Sequence, residues 1–413
     1  MEKLPSSGSG KIDEVAFFSG YLNRAQGYIK NMDFNYSEEQ LMLKKMVQDI
    51  AQKEFAERAK EIDKSHRFPR ENVELMAEAG LLGVTIDPRY NGGGMDYICY
   101  SIVVEELSKV CASTGTIMSA HLSLCAMPIQ DWGTEEQKEI FLKPLAAGKK
   151  LGAFALSEPS NGSDAAAMLT DAREDGDNYI LNGSKAWITN GAEADIYLVL
   201  AQTNREAKHK GVTAFLVEKG TLGFSFGKPE DKLGIRASST TQLHFDNCAV
   251  PKKNILGKIG DGFKIAMKTL DGGRIGMASQ AIGIARAAFE DSMSYANTRE
   301  AFGQKINEFQ AIQFKLANMA VDIDAARWLT YSAALAHDEG KPYSKLAAQA
   351  KLFASEMAMK HTVEAVQIHG GYGYTTDYNV ERYMRDAKIT EIYEGTSEIQ
   401  RIVIAKALFK EML

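Results

Sequence analysis

The hydrophobic period switches twice along this chain, and that switch limits the fold more than any single residue does. Residues 33–150 place apolar side chains at helical spacing. Ser37-Glu-Glu-Gln40 and Thr134-Glu-Glu-Gln137 have the capping-box pattern of helix starts. Pro69 and Arg70 open a helix that Gly80 and Gly83 end, Asn91-Gly92-Gly93-Gly94 marks a loop, and residues 97–110 and 114–130 are apolar helical segments. From about residue 151 the runs become short and strand-like: Leu151–Leu156, Tyr179–Leu181, Ala186–Thr189, Ile196–Ala201, Val212–Val217 and Thr241–Phe245. Asn182-Gly183 and Asn190-Gly191 separate them as turns, and no helical segment intervenes. An antiparallel sandwich or barrel is expected, not a dinucleotide-binding βαβ sheet. After Pro251 the helical period returns, with long helices at 262–299, 309–339, 343–369 and 396–411. Four long amphipathic segments joined by short loops read as a helix bundle.

The fold class is therefore α+β in the order α, β, α. The expected domains are a 1–31 extension, a helical domain at 32–152, a β domain at 153–254 and a helical bundle at 255–413. Within the extension, Pro5–Gly10 reads as a flexible linker. Ile12, Val15, Phe18, Leu22, Ala25 and Ile29 would suit an extra helix, and Met32 is an alternative start. Its acidic residues and lack of an apolar core segment argue against a transit peptide or a secretory signal.

A net charge of -6 argues against a nucleic-acid partner. No run of eighteen apolar residues appears, so no membrane-spanning helix is expected. Cys99, Cys111, Cys125 and Cys248 are scattered without CxxC spacing, which fits a reducing compartment and argues against structural zinc. His361-Thr-Val-Glu364 is only half a metal motif, so no metal is expected.

Five segments can carry chemistry. Glu394 lies between Tyr393 and Gly395, just before a helix that Thr396 or Ser397 can cap. It can act as a general base or simply complement the helix dipole. Ala155-Leu-Ser-Glu-Pro-Ser-Asn-Gly-Ser-Asp164 is a polar loop that can hold a cofactor edge or phosphate, or be a surface turn. Trp187-Ile-Thr189 offers an indole beside a hydroxyl, for a flat ring or for the core. Arg299 ends a long helix and can grip a pyrophosphate or complement the helix C-terminus. Gln367-Ile-His-Gly-Gly-Tyr-Gly-Tyr374 is a glycine-rich helix exit, open to a ligand or a tight turn. In addition, Asp271-Gly272-Gly273-Arg274 interrupts a helix at about 1 kcal/mol per glycine, so a ligand or close helix packing should offset it.

Together these segments resemble the acyl-CoA dehydrogenase family over residues 33–413, most closely its bacterial short-chain (butyryl-CoA) branch. Two long signatures carry the resemblance: Ala155 through Ala167, and Gln367 through Asp386 with Arg382. The resemblance implies the same α–β–α order, FAD as cofactor, a cytoplasmic homotetramer built as a dimer of dimers, and electron-transfer flavoprotein as partner. It implies that Glu394 removes the α-proton of an acyl-CoA thioester while FAD N5 takes the β-hydride, giving a trans-2-enoyl-CoA. The thioester oxygen would lie against the Glu394 amide and a ribityl hydroxyl. Ala155, Leu156, Ser157, Gly162, Ser163, Trp187, Ile188 and Thr189 would contact FAD around its ring. Arg299, Phe302, Gln310, Gln367, Ile368, His369, Gly370 and Gly371 would hold its diphosphate and adenine, partly from a neighbouring subunit. Thr396, Ser397 and Glu398 would also contact FAD. Ser163, Asp271, Gly272, Gly273, Arg274, Tyr393 and Gly395 would contact the acyl-CoA. Some relatives carry the base at the position of Gly273, which here has no carboxylate. The same site can run in reverse as an enoyl-CoA reductase fed by a bifurcating flavoprotein. An oxidase and a non-catalytic flavin-binding scaffold are more remote alternatives.

Overall fold

The computed structural model describes residues 36–412; the expected 1–31 extension lies outside them. Ser37 opens helix α1 (Glu38–Ile50) with the reciprocal bonds of a capping box, Gln40 N to Ser37 Oγ and Ser37 N to Gln40 Oε1, each 3.1 Å. From Leu43 the chain packs as one unit.

Helices α2 (Ala56–Ser65), α3 (Arg70–Glu78), α4 (Tyr97–Val110), α5 (Ala112–His121) and α6 (Met127–Trp132) build the first layer. Every residue of α5 is buried, and nearly all of α4; several of their polar members are satisfied inside the protein, as when Thr116 and Ser101 bond carbonyls one turn back and Glu105 pairs with Arg286 and Arg327. A single π-turn, Leu122–Ala126, joins α5 to α6 and turns Leu124 toward the later helices. Thr134 and Gln137 form the second capping box.

The middle region holds β1 (Gly152–Ala155), β2 (Asp171–Asp175), β3 (Asn178–Thr189), β4 (Ile196–Gln202), β5 (Val212–Glu218), β6 (Phe224–Phe226), β7 (Thr240–Pro251) and β8 (Ile255–Leu256). They form one sheet in the order β6-β7-β3-β2-β4-β5-β8, with β1 beside β4. Most pairs are antiparallel, as expected, but β1 and β2 run parallel to β4. The reason is connectivity: roughly 40 residues separate β1 from β4, and the β2–β3 hairpin occupies them, so no tight turn imposes reversal. The continuous apolar run of β4 is explained by burial on both faces. Ile196, Leu198 and Leu200 meet the helical core, while Tyr197, Val199 and Ala201 fill the sheet's own core.

Two runs expected as separate strands are one strand, β3. Gly183 is not a turn but a strand residue at φ +141, beside a register shift whose extra residue lies on β7, and an added Cβ there would meet Thr170 Cα at 2.7 Å. A second register shift between Lys185 and Ile188 lifts Trp187 out of the ladder at φ +63.

Helices α7 (Gly262–Thr298), α8 (Gln310–Asp338), α9 (Ser344–His369), α10 (Val380–Lys388) and α11 (Ser397–Glu411) complete the chain. The hairpin β9 (Glu300–Ala301) and β10 (Gln304–Lys305) separates α7 from α8. The four long helices lie within a residue of the expected bounds. α7 packs on α9, α4 and α8, and α9 also packs on α11.

Candidate active site

The segment before α11 is shaped by two consecutive left-handed residues, Glu394 at φ +53 and Gly395 at φ +92. A glutamate costs energy there, so the surroundings must hold it. Gln400, in the first turn of α11, reaches back to the carbonyl oxygens of Gly395 (2.7 Å) and Glu394 (3.3 Å). Lys351 of α9 donates to the same Gly395 oxygen at 2.8 Å. Thr396, not Ser397, caps the helix by accepting from Ile399 N.

This turn throws the Glu394 carboxylate against Gly273 on α7. A Cβ at Gly273 would collide with Glu394 Oε2 and lie 2.8 Å from Leu124 Cδ2. At Gly272 an added Cβ would meet the Tyr97 hydroxyl at 2.6 Å, and at Gly276 it would collide with the Tyr100 hydroxyl. Close packing of side chains therefore offsets the helix-interior glycines. Glu394 is half-buried overall, but Oε2 is sealed from solvent and has no hydrogen-bond partner among the described residues. Burial raises its pKa to about 7; Lys351 and then Arg274 pull the other way. Arg274 is buried, pairs with Asp271 at 2.6 Å, and leaves Nε without a partner among the described residues. Ser344 donates to the same Asp271 oxygen at 2.9 Å. Tyr393 hydrogen-bonds Gln280, which is itself tied to Thr116 at 2.6 Å and to the Ala112 carbonyl at 3.1 Å.

The loop after β1 is pinned from below. Lys185, fully buried, donates to Glu158 (2.8 Å) and to the Leu156 carbonyl (3.1 Å), and Glu158 also accepts from the backbone of Leu169 and Thr170. Removing one partner of such a pair costs about 3–5 kcal/mol. Ala155, Leu156 and Ile188 are buried, Ser157 and Thr189 are partly exposed, and Gly162 and Ser163 are exposed. Trp187 is 63 % exposed between neighbours at 2 %. Of the two readings of Trp187, the core one is therefore wrong: the bulge presents the indole to solvent.

A second group gathers elsewhere. Arg299 follows α7 and lies 5.5 Å over the Tyr372 ring. Phe302, at φ +53 on the hairpin tip, is 97 % exposed. Gln310, Gln367, Gly370 and Gly371 are exposed, whereas Ile368 is core and His369 stacks on Tyr295 with ring centroids 4.3 Å apart. Arg299 is 25 residues beyond Arg274, so the two lie roughly 40 Å apart along the helix at 1.5 Å per residue.

Sequence reasoning missed Lys351, Gln400, Ser344, Leu124 and the Lys185–Glu158 pair. Lys351 had a signal: it shares a helix face with Ala347, Ala354 and Ala358. In the half metal motif, His361 bonds Asp322 at 2.9 Å and Glu364 pairs with Lys315. All four cysteines are buried and free, and no helix among the described residues is long and apolar enough to cross a membrane.

Three family descriptions match in succession: acyl-CoA dehydrogenase N-terminal domain at residues 37–149, middle domain at 153–248 and C-terminal domain at 260–409. Fold and site thus define an FAD-dependent oxidoreductase. The chain belongs to the acyl-CoA dehydrogenase family. It is 53% identical over 379 residues to the short-chain-specific acyl-CoA dehydrogenase of Clostridium acetobutylicum, covering 92% of this chain and 100% of that protein. Butyryl-CoA dehydrogenase from Megasphaera elsdenii superimposes with a TM-score of 0.90 at 49% identity, covering 92% of this chain and 100% of that one. A chain in the structure described as the electron transferring flavoprotein of Acidaminococcus fermentans gives 0.90 at 54% identity, covering 91% and 99%. The residues present fit FAD. The exposed indole stands two positions from the Thr189 hydroxyl, and an added Cβ at Gly162, Gly370 or Gly371 meets no atom within 4 Å.

Proposed function

We propose that this protein oxidises a short-chain acyl-CoA, of the butyryl-CoA type, to the trans-2-enoyl-CoA. Glu394 removes the α-proton. The observation that carries this reading is a carboxylate with an unpartnered, solvent-sealed oxygen, raised to about 7 and aimed across Gly273. A base with that value is poised for work near neutral pH and is worth about 10²–10⁴-fold. The Glu394 backbone amide polarises the thioester oxygen. Arg274, held by Asp271, which itself accepts from Ser344, turns its unpartnered Nε to the acyl-CoA.

FAD, when bound, supplies the hydride acceptor. Trp187, Ser157 and Thr189 would line its ring, and Thr396, Ser397 and Glu398 would flank it. Arg299, Phe302, Gln310 and the Gln367–Gly371 exit would hold the diphosphate and adenine of the cofactor bound by a second copy. The separation along α7 supports that exchange.

Self-association, and through it the homotetramer, draws support from α8, whose exposed Phe314, Val321 and Trp328 recur every seven residues. Changing Val321 and Trp328 together to Glu is expected to lower the sedimenting mass and the flavin content. An unchanged tetramer would rule this stripe out as the interface.

The likeness to the Acidaminococcus chain supports an electron-transfer flavoprotein as redox partner. It also favours a second reading, in which the same site reduces an enoyl-CoA with electrons from a bifurcating flavoprotein. The deciding experiment is an anaerobic titration of the FAD-loaded protein with butyryl-, isovaleryl- and octanoyl-CoA. Prompt bleaching of the visible band by butyryl-CoA supports short-chain oxidation. Bleaching by none of the three, with flavin still bound, would overturn it.

A further inference from the structure

Lys351 is fully buried on a face of α9 otherwise made of alanines, and its hydrogen bond goes to a backbone carbonyl, that of Gly395. An ammonium in such a place is costly unless its charge is used. The carbonyl it holds belongs to the second of the two left-handed residues that aim Glu394. Gln400 holds the same oxygen without bringing a charge. The two contacts are therefore separable in kind: one is a tether, the other a tether plus a cation. We propose that Lys351 is a positioning residue for the base, fixing the Glu394–Gly395 turn and stabilising the ionised carboxylate in a site sealed from water. The inference rests on Glu394 being the base.

The groups facing Glu394 define what a change at Lys351 can do. Arg274 and its partner Asp271 come from α7, Tyr100 from α4, and Tyr393 from the base segment itself. Glu391 and Glu398 act on Lys351 more weakly than Glu394 does. Burial pulls Lys351 down to about 8, and Glu394 opposes that fall, so the ammonium is still largely charged where Glu394, at about 7, gives up its proton. Removing the charge leaves Arg274 as the cation beside Glu394, and the carboxylate must then bind its proton more tightly.

The test compares pH profiles of kcat/KM for FAD-loaded Lys351→Met, Lys351→Gln, Lys351→Arg and Gln400→Leu, with flavin content recorded for each. The acid limb of the Met and Gln variants is expected to move up by about one pH unit, roughly a tenfold loss on that limb that is regained at higher pH. Two neutral variants are used so that poor flavin loading of one leaves the other to decide. The Arg variant is expected to return the limb toward the native position. Gln400→Leu is expected to lower kcat without moving the limb. An acid limb that stays in place in the neutral variants overturns the proposal, whatever happens to kcat. Glu394→Gln in the same series separates the two ideas. If it retains turnover, the assignment of the base itself fails. If it is inactive while the Lys351 limb is unmoved, only the role of Lys351 fails.

Discussion

Replacing Glu394 with Gln is expected to leave FAD and acyl-CoA binding in place and to remove turnover. The amide has nearly the carboxylate's shape, so the Gly395 and Gln400 contacts behind it survive. It cannot accept the α-proton, and base catalysis alone is worth about 10²–10⁴-fold. The same substitution has a stability consequence of opposite sign. The folded carboxylate titrates near 7, above its ordinary 4.5, because burial penalises the charged form. The folded state therefore binds the proton more tightly than the unfolded state. That contribution is fully present below about pH 4.5 and is lost as pH rises through 7. The neutral Gln escapes the loss. The variant is expected to melt higher than the parent at pH 8 and to match it near pH 4.5. A shift of this size corresponds to at most about 3–4 kcal/mol, and the half-buried position of Glu394 reduces it. Steady-state assays and thermal melts across pH check both halves. Native turnover in the Gln variant would remove Glu394 from the mechanism.

Gly273→Ala is expected to lower kcat about a hundredfold while barely changing cofactor content. Elsewhere in a helix, glycine to alanine stabilises by roughly 0.5–1 kcal/mol. Here the new methyl would collide with Glu394 Oε2 and lie 2.8 Å from Leu124 Cδ2. α7 is clasped by α4, α8 and α9 and cannot shift, so the carboxylate must swing aside. A displacement of about 1 Å at a reacting group costs on the order of 10²-fold. Assaying kcat at the pH optimum settles it. A change of less than about threefold would mean that the working carboxylate does not rest against Gly273.

Much of this was legible in the chain, for identifiable reasons. The long helices declared themselves because 26–37 residues repeat the same period many times, and both capping boxes satisfy their bonds within four residues. β2, β6 and β8 were not legible: Asp171–Asp175 is polar, and the other two are three and two residues long. α10 was hidden because its buried face includes Arg382 and Asp386, polar residues whose partners lie far away in sequence.

Glu394 as a candidate base, beside a glycine and ahead of a capped helix, came from eight consecutive residues, because the backbone turn and the cap that place it are local. What surrounds that carboxylate did not. Lys351 lies 44 positions from Gly395, and Gly273 lies 121 positions from Glu394. Whether glutamate before a helix is a surface charge or a base near 7 depends on desolvation and on which cations approach it. Those are properties of the assembled helices α7, α9 and α11. The same holds for Trp187: the indole is in the sequence, but only a slipped register in β3 turns it out of the core. Local backbone chemistry determined the elements and the candidate groups; long-range packing alone decided their exposure, their proton affinity and their aim.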